Sequence, residues 1–501
     1  MKRNFNKIIT IMFSLMLMLI MIALLFFNHL EYSKKNYVSN INIYALIFGS
    51  FILFILSFII KRYLYKFINV YFITVILTLI QIILVYSYYF IPGWDAGIII
   101  DNSFSLFING ELESEYYFSV YPNNISIVNI YYYFISFINF IKLGEYAYFI
   151  LLVCIILICN VSGILMYKIL IKIFQNNVIA LIGYAYYILL IYISPWIAIP
   201  YSDSLSLILP ILMLYIYISL EKYYLKWVLL CFIFAVSISI KPQAAIIFIA
   251  IIIFDFLFNT NSIKLFFKKC FTLFIVIIVS FNIINLMNKD IKAKLDKELH
   301  TSYIHYLKMG LNENTSGEWN YDDVVFSQSI PLKDDRDYAN ILVIKERINN
   351  FTVSSFLEHY TKKTLLNYSD GTFSWGKEGN FYKEILPENI KISKITRNIY
   401  YSDGKYYKYF NFLQQSSWLI ILFLSLFSIK FNKNDEETAS NYKIIIYMTL
   451  IGLFIFLTLF EARGRYLFSN VPIFIICAMY GINNILLMLK KFDILKNRTD
   501  K

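Results

Sequence analysis

The stretch IITIMFSLMLMLIMIALLFF, residues 8–27, decides the class of this chain. It carries no charge, and about 20 residues of helix are enough to cross the ~30 Å hydrocarbon core of a bilayer. The preceding MKRNFNK resembles the start of a signal peptide, but the apolar stretch is too long and no small-residue cleavage site follows before His29. The stretch therefore predicts a first transmembrane helix that is not removed.

Comparable apolar stretches recur along the 501 residues, of which 59% are hydrophobic and 16% charged. That composition is too apolar for an ordinary soluble fold. Helices are expected because lipid offers no partner to an unpaired backbone group. The predicted spans lie near residues 8–28, 41–60, 67–91, 146–168, 178–195, 203–219, 225–240, 243–258, 268–286, 415–430, 443–460 and 466–489. The fold class is therefore an all-α polytopic membrane protein with about 12 transmembrane helices.

Basic residues between the predicted spans give the orientation, because cytoplasmic loops are enriched in Lys and Arg. The groups that fall on one side are Lys2, Arg3 and Lys7; Lys61, Arg62 and Lys66; Lys168 and Lys172; Lys222 and Lys226; Lys264, Lys268 and Lys269; Lys430, Lys433 and Lys443; and the tail residues Lys490, Lys491, Lys496, Arg498 and Lys501. Both termini are then cytoplasmic. This agreement requires that the apolar stretch 125–141 does not cross, so we predict a helix lying in the outer interface there.

The remaining sequence divides the chain into three parts. Residues 1–286 form an N-terminal transmembrane module whose outer face carries the loop 92–124 and the interfacial helix 125–141. Residues 287–414 are polar and mixed in charge, and are long enough for a small domain. We predict that they form an extracytoplasmic soluble domain, either mixed α/β or α-rich. Residues 415–501 hold the C-terminal transmembrane helices and a basic cytoplasmic tail.

Charge, cysteine and histidine content exclude several classes of function. The net charge of +12 lies mostly in short loops between spans, and no basic patch with base-stacking aromatics indicates nucleic-acid binding. The five cysteines fall in or beside apolar stretches, so disulfides do not hold the 287–414 segment together. His300 and His305 are five residues apart, which is not the spacing of a zinc helix. No metal ligand can be named, and a divalent metal stays open as a cofactor.

Unusual polar residues cluster at the predicted outer ends of the spans. They are Asp95 in PGWDAG, Asp203 in PYSDSLS, Lys241 in SIKPQAA, and Glu461, Arg463 and Arg465 in EARGRYL. Ionisable groups at membrane depth are costly, and usually line a cavity or pathway. Because these segments all reach the same predicted face, the sequence predicts a single polar pocket at the outer leaflet.

The carboxylates among them have alternative roles. Asp95 could act as a general base toward a hydroxyl, since carboxylates accept protons in such reactions. It could also cap a short helix, for which Asp is a preferred residue. Asp203 and Glu461 are candidate second carboxylates, although for Asp203 the role of helix cap is favoured.

The basic residues also have alternatives. Arg463 and Arg465 lie at an outer turn, against the positive-inside rule. Guanidinium groups bind phosphate through two parallel hydrogen bonds, but these two could equally pair with Glu461 and the extracytoplasmic domain. Lys241 could reach a lipid phosphate or extend its ammonium group to the membrane surface.

These motifs together resemble the GT-C-type integral membrane glycosyltransferases. The similarity rests on Asp95 at the end of an early span, YPNN at Tyr121–Asn124, and PYSDSL at Pro200–Leu205. KPQ at Lys241–Gln243, DGTFSW at Asp370–Trp375 and EARGRYL at Glu461–Leu467 look similar too. The similarity extends over most of the chain in layout, and is nearest to bacterial members of the protein-mannosyltransferase and lipid-modifying branches. Each motif is short, so their order and common sidedness carry the resemblance.

The resemblance implies a function at the outer face of a bacterial cytoplasmic membrane. Enzymes of this family move a sugar from a polyprenyl-phosphate donor to a glycan, lipid or protein acceptor. By this similarity Asp95 is the catalytic base or acceptor-positioning group, and Lys241, Arg463 and Arg465 bind the donor phosphate. The chain has a single Asp at position 95 where some members carry an Asp-Glu pair, which leaves the branch open.

Two other classes remain as alternatives. A polytopic transporter or a flippase for lipid-linked oligosaccharides would have charged residues within several spans and inverted repeats, and neither is evident. A polysaccharide polymerase or ligase also uses lipid-linked sugars, but commonly has an arginine-rich outer loop. The sequence therefore favours the glycosyltransferase.

Overall fold

The computed structural model of the protein describes residues 2–27, 42–64, 66, 68–260, 262–379, 381–429 and 437–499, with the backbone alone at 437–441 and 490–499. The described residues are mostly helical. The helices are α1 Lys2–Phe26, α2 Asn42–Ile59, α3 Val70–Tyr88, α4 Asp95–Asn109, α5 Glu115–Val120, α6 Ile125–Phe140, α7 Ala147–Phe174, α8 Asn177–Tyr187, α9 Ser202–Leu205, α10 Ile208–Ser219, α11 Tyr223–Ile240, α12 Ile246–Phe258, α13 Ile263–Met287, α14 Lys289–Ala293, α15 Tyr303–Gly310, α16 Tyr321–Gln328, α17 Lys333–Asn350, α18 Val353–Tyr368, α19 Trp375–Glu378, α20 Ser393–Tyr400, α21 Tyr407–Leu426, α22 Glu437–Leu459 and α23 Val471–Thr499. Two short strands, β1 Ile91–Pro92 and β2 Tyr382–Glu384, pair antiparallel.

In the part of the chain that the structure describes, nine helical stretches are long and apolar enough to cross a membrane. They are Lys2–Phe26, Asn42–Leu64, Val70–Tyr88, Gly144–Phe174, Ser202–Ser219, Tyr223–Ile240, Ile263–Met287, Tyr442–Leu459 and Gly464–Leu489. The shorter apolar stretches Asn177–Tyr192 and Pro242–Phe258 and the helix α21 occupy the other three predicted spans. The all-α polytopic class is confirmed, whereas the number of twelve crossings stays a prediction.

Side-chain contacts gather the basic ends of several spans at one end of the helix bundle. Lys2 at the start of α1 donates to the Phe258 carbonyl at the end of α12, with 2.8 Å between the atoms. Lys269 in α13 pairs with Asp255 of α12 at 2.6 Å. We call this the basic end and the opposite end the outer end; their assignment to the two sides of a membrane stays a prediction. The predicted outer loop 29–40 and the basic residues Lys430 and Lys433 lie outside the described residues.

Helix α6 covers the stretch predicted to lie in the outer interface. Near its start, the Asn129 side chain donates to the Met287 carbonyl at the end of α13, at 2.6 Å. Near its end, Ile138 packs against Ala147 at the start of α7. Both neighbours belong to the outer end, so α6 does not run from one end of the bundle to the other. This geometry is in line with a stretch that does not cross, while its place in a membrane interface stays a prediction.

Helix α21 packs between α2 and α23, and close backbone contacts explain why. A Cβ atom at Gly49 of α2 would lie 2.4 Å from the Ser416 carbonyl oxygen, and one at Gly481 of α23 would lie 1.9 Å from that of Leu424. Only glycine fits at either position, which is how membrane helices commonly approach each other closely. α21 is therefore held at the centre of the bundle.

The same helix begins eight residues earlier than the sequence predicts, at Tyr407 rather than near 415. The first turns carry polar residues, so they do not look like part of a span. Tertiary contacts satisfy them: the Gln415 side chain donates to Asn42 Oδ1 at 2.9 Å and accepts from the Gly371 backbone at 2.7 Å. The predicted domain boundary after residue 414 consequently falls inside a helix.

The 287–414 segment is α-rich where it is described, and it packs onto the outer end of the bundle. Three fully buried tryptophans donate through their indole nitrogens, two of them between the segment and the spans and one within the segment. Trp196 donates to the Thr372 carbonyl at 3.0 Å, and Trp418 donates to that of Tyr368 at 2.8 Å. Trp375 of the segment donates to the Tyr400 carbonyl at 2.7 Å. Buried indoles need such partners, and the bonds of Trp196 and Trp418 fix the segment's position over the spans.

Candidate functional site

Six charged residues meet at the outer end of the bundle, and we call them the outer cluster: Asp203, Lys241, Glu378, Glu461, Arg463 and Arg465. At one end of it, Asp203 forms ion pairs with Lys241 and, at 3.4 Å, with Arg465 Nη1. Arg465 Nε lies 2.9 Å from Glu378 Oε2. Five of the six were predicted from sequence, and the structure brings those five together.

The cluster continues through Arg463, which shares Glu378 with Arg465. Arg463 Nη1 lies 3.4 Å from Glu378 Oε2, and its Nε donates to Glu461 Oε1 at 2.7 Å. The second oxygen of Glu461 accepts from the Tyr466 hydroxyl at 2.9 Å. The paired side chains thus form a row in which positive and negative charges alternate, in the order Lys241, Asp203, Arg465, Glu378, Arg463 and Glu461.

Three carboxylates and three cations therefore balance within the cluster. Five of its six residues are less than one-tenth exposed, whereas the Arg463 side chain is 23% exposed. Desolvating a charge is expensive unless it is paired, and the alternation of sign is what makes this burial tolerable. Lys241 and Arg465 are consequently neutralised by protein carboxylates, which was one of the alternatives for the arginines.

Glu378, the member that the sequence does not point to, is placed by the DGTFSW motif. Asp370 accepts hydrogen bonds from the backbone nitrogens of Thr372 at 2.8 Å and Ser374 at 2.9 Å, which closes a tight turn. Phe373 and Ser374 take φ values of +55° and +63°. Left-handed backbone at a non-glycine residue is strained and persists only where surrounding contacts impose it. The turn leads directly into α19, whose last residue is Glu378.

Asp95 is held next to the outer cluster by a second close approach of backbone. The Gly93 nitrogen donates to the Phe381 carbonyl at 2.7 Å, which extends the β1–β2 pairing. At Gly97 a Cβ atom would lie 2.0 Å from the Pro92 carbonyl oxygen, so the turn into α4 requires glycine there. Asp95 is the first residue of α4, where a carboxylate is favoured by the helix dipole.

The Asp95 carboxylate faces tyrosines rather than cations. The Tyr201 hydroxyl donates to Asp95 Oδ2 at 3.4 Å, and Tyr117 also hydrogen-bonds the carboxylate. No salt bridge to Asp95 forms among the described residues, and the side chain is partly exposed. Because Trp94 is the N-cap and makes no side-chain capping bond, helix capping does not account for this residue.

The YPNN motif orients one of these tyrosines. Asn124 Nδ2 donates to the Tyr117 hydroxyl oxygen at 2.8 Å, so the hydroxyl proton is free to point at Asp95. Burial raises the pKa of Tyr117, and the negative charge of Asp95 raises it further. Tyr117 is therefore a hydrogen-bond donor at every ordinary pH. Neither Tyr117 nor the role of Asn124 was predicted, although YPNN was the signal that could have led to them.

Tyrosines also link Asp95 to the outer cluster. Burial raises the pKa of Tyr121 to about 12, with further contributions from Asp95 and then Glu461. Tyr121 consequently lies within the field of both carboxylates. On the other side, the Arg465 guanidinium lies over the Trp94 ring, 4.5 Å from its centroid, and over Tyr201 at 5.3 Å. Asp95 and the cluster thus share one aromatic-lined site.

One assignment from the sequence is wrong. For Asp203 the role of helix cap was favoured over that of a second carboxylate, but the N-cap of α9 is Tyr201, with no side-chain capping bond. The Asp203 side chain turns instead to Lys241 and Arg465, because burial of two cations requires a nearby carboxylate. Lys241 in turn does not extend toward the surface: it is 4% exposed and lies over the Tyr466 ring at 5.1 Å.

Among the described residues, no group of three or more His, Cys, Asp or Glu side chains is arranged to hold a metal ion. Comparison with curated proteins gives no match, and comparison with solved structures gives none. A family model does match residues 1–486, and its description is "conserved hypothetical integral membrane protein". Because the match covers nearly the whole chain, this protein belongs to that family of integral membrane proteins.

Proposed function

We propose that the protein is a membrane glycosyltransferase that moves a sugar from a polyprenyl-phosphate donor to an acceptor at the outer face of a bacterial cytoplasmic membrane. The acceptor class is a glycan, lipid or protein of the cell envelope. The observation that carries the proposal is Asp95, a partly exposed carboxylate that has no cationic partner among the described residues and lies beside a cluster in which each carboxylate is paired. The resemblance of the motifs to GT-C enzymes supplies the reaction class.

An unpaired carboxylate suits the proton transfer of this reaction. In the proposed step Asp95 accepts the proton of an acceptor hydroxyl while the hydroxyl oxygen attacks the anomeric carbon. The bond between that carbon and the phosphate oxygen breaks, and the polyprenyl phosphate leaves with the electron pair. Tyr117 and Tyr201 fix the carboxylate by donating to it, which leaves lone pairs for the acceptor. General base catalysis of this kind contributes about 10²–10⁴ in rate.

The departing phosphate gains negative charge as the bond breaks, and positioned cations stabilise that charge. Of the three cations in the outer cluster, Arg463 is the most exposed at 23%. We assign direct contact with the donor phosphate to Arg463. Lys241 and Arg465, which are enclosed by Asp203 and Glu378, hold the cluster's geometry.

The test is transfer of labelled sugar from polyprenyl-phosphate donors to membrane extracts by the purified protein. Asp95→Asn keeps the shape of the side chain and removes its charge. We expect at least a hundredfold loss of transfer in this variant. The matched control is Asp101→Asn on the same helix, whose carboxylate pairs with Lys383 at 2.7 Å and is partly exposed; we expect less than a threefold change.

Other outcomes would redirect the proposal. Transfer by the wild type that persists in Asp95→Asn would keep the reaction class and remove Asp95 from the site. No transfer from any donor, together with movement of lipid-linked sugar across liposomes, would replace the proposal with a flippase. Elongation of a lipid-linked polymer by the wild type would indicate a polymerase.

A further inference from the structure

Helix α18 of the 287–414 segment is buried in its second half and exposed in its first. Tyr368 at its end is fully buried, whereas Val353 and Leu357 are 81% and 61% exposed. The Tyr368 carbonyl accepts from the Trp418 indole in the central helix α21, and the Tyr368 ring lies 6.3 Å from that of Phe454 of α22. The helix therefore extends outward from the centre of the bundle's outer end.

Local interactions fix the start of α18. Thr352 Oγ1 accepts from the Ser355 nitrogen at 3.1 Å, and Ser355 Oγ accepts from the Thr352 nitrogen at 3.1 Å, which is a capping box. Phe351, just before the cap, packs against Phe356 with 5.8 Å between the ring centroids, as in a hydrophobic staple. The exposed first turns are therefore a well-formed helix rather than a frayed end.

One face of α18 carries the exposed apolar residues and also packs on the spans. With about 100° between successive residues, Leu357, Thr364 and Tyr368 lie within about 60° of the direction of Val353, the first residue of the helix. Thr364 lines the same narrow gap as Thr458 of α22. The face that lies against the spans in the second half of the helix is therefore the face that is exposed in the first half.

The charged residues in the middle of α18 lie on its opposite side. Glu358 and Lys362 form an ion pair at 2.6 Å. They are about 140° and 180° away from Val353 around the helix. A helix with a charged side and an apolar side, and with little net charge on the apolar side, is typical of helices that lie in the interface of a membrane.

Contacts place the middle of α18 at the level where the span of α22 ends. His359 and Lys363 both donate to the Gly310 carbonyl, at 3.2 and 2.6 Å. Gly310 lies directly on the end of α22, because a Cβ atom there would be 2.3 Å from the Leu459 carbonyl oxygen. Leu459 is the last residue of a candidate span, and its side chain and that of Ile455 are exposed. The apolar face of α18 therefore adjoins the lipid-facing surface of a span.

We propose that the first two turns of α18 lie in the interface of the bilayer at the outer end, with Val353 and Leu357 against lipid chains and the Glu358–Lys362 pair toward water. The partner is the bilayer because this face points toward the spans and extends past the end of α22, where the next material at that depth is lipid. Since α18 leads into the DGTFSW turn, the contact anchors the part of the segment that supplies Glu378. The inference holds whether or not the protein transfers sugar.

The test is the accessibility of spin labels on the full-length protein in phospholipid liposomes. Val353→Cys and Leu357→Cys carry the nitroxide, in a protein whose five native cysteines are replaced by alanine. We expect both labels to collide often with oxygen, which partitions into lipid, and rarely with a water-soluble nickel chelate present on both sides of the bilayer. The control is Glu358→Cys on the opposite side of the same helix, where nickel collisions should be at least fivefold more frequent.

Two other outcomes would overturn the proposal. Nickel collisions at positions 353 and 357 within twofold of those at position 358 would place this face in water. Low collision rates with both reagents would mean that protein covers the face, and broadening of the spectra by label pairs would identify that protein as a second copy. If the cysteine-free protein does not fold, the same variants are labelled in the wild-type background, and the signal of labelled wild type is subtracted.

Discussion

Two buried charge clusters in this protein differ in where their members come from. The outer cluster joins Asp203, Lys241, Glu378 and the 461–465 turn, which are separated by long stretches of chain. The second lies wholly within residues 305–347, and we call it the segment cluster: His305, Lys308, Asp323, Ser327 and Arg347. The first therefore depends on the docking of the 287–414 segment on the spans, and the second on local folding of α15 to α17.

Asp323 of the segment cluster also differs from Asp95, which lies beside the outer cluster, in the number of contacts that its carboxylate makes. Asp323 accepts from Arg347 at 2.7 and 3.1 Å and from Asn312 at 2.9 Å, and Lys308 lies 3.6 Å from it. Those contacts leave no room for a ligand. In the described part of the chain the side-chain donors to Asp95 are tyrosines, and its carboxylate is partly exposed. A saturated carboxylate stabilises structure, while an unsaturated one is available for chemistry.

The largest effect on stability should come from breaking the segment cluster. Asp323→Ala leaves Lys308, which is fully buried, without its counter-charge. Removing one partner of a buried pair costs about 3–5 kcal/mol. We expect a large fall in the thermal unfolding temperature, measured in detergent. The neighbouring Asp322→Ala, at an exposed position, should change it little, and equal temperatures for the two variants would refute the difference in role.

Acid should destabilise the same region. Burial lowers the pKa of His305 to about 4, with a further contribution from Lys308 that outweighs the opposing effect of Asp323. Since the unfolded chain binds the proton near pH 6.5, stability is lost as the pH falls from about 6.5 to about 4, by about 3 kcal/mol for this histidine. His359 behaves similarly. His305→Asn should remove about half of the pH dependence of unfolding; an unchanged dependence would contradict this.

Neutralising Glu378 tests the long-range cluster. Glu378→Gln leaves Arg463 and Arg465 facing each other with one carboxylate fewer. Charge-assisted hydrogen bonds are worth about 1.5–3 kcal/mol, so we expect a loss of about 2 kcal/mol together with slower transfer. The exposed Glu384→Gln is the control. Wild-type stability and transfer in Glu378→Gln would mean that the outer cluster does not hold the site.

The smallest expected effect is on the positioning of Asp95. Tyr117→Phe keeps the ring and removes the hydroxyl that connects Asn124 to the carboxylate. One hydrogen bond contributes about 0.5–1.5 kcal/mol, so kcat should fall about three- to tenfold with little change in KM. Tyr116→Phe, at an exposed position, is the matched control. A change in KM alone would indicate a binding role for Tyr117 instead.

The parts of this structure that local sequence determines were predictable, and the parts that depend on distant contacts were not. Apolar stretches such as 8–27 identify the spans because length and hydropathy suffice for crossing a bilayer. The early start of α21 was missed because Gln415 is satisfied only by Asn42 and Gly371, far away in sequence. The sequence also predicted that charged residues gather at the outer end, but it did not predict that Asp203 pairs with Lys241.

Glu378 and Lys363 illustrate the same limit for buried charged residues. Glu378 lies in a polar stretch with no distinguishing pattern, and only the strained DGTFSW turn places it between two arginines. Lys363 looks like any surface lysine beside Lys362, and its burial arises from the packing of α18 against the loop that contains Gly317. Burial and pairing of charges are tertiary properties, so neither residue could be singled out in advance.

The most direct test of the account compares two carboxylates of the same site, one unpaired and one paired. The measurement is the transfer rate per folded molecule for Asp95→Asn and for Asp203→Asn, with the unfolding temperature of each. The account predicts that Asp95→Asn loses at least a hundredfold in rate and keeps its stability, whereas Asp203→Asn loses stability first. An Asp95→Asn protein that transfers sugar within threefold of the wild-type rate would contradict it.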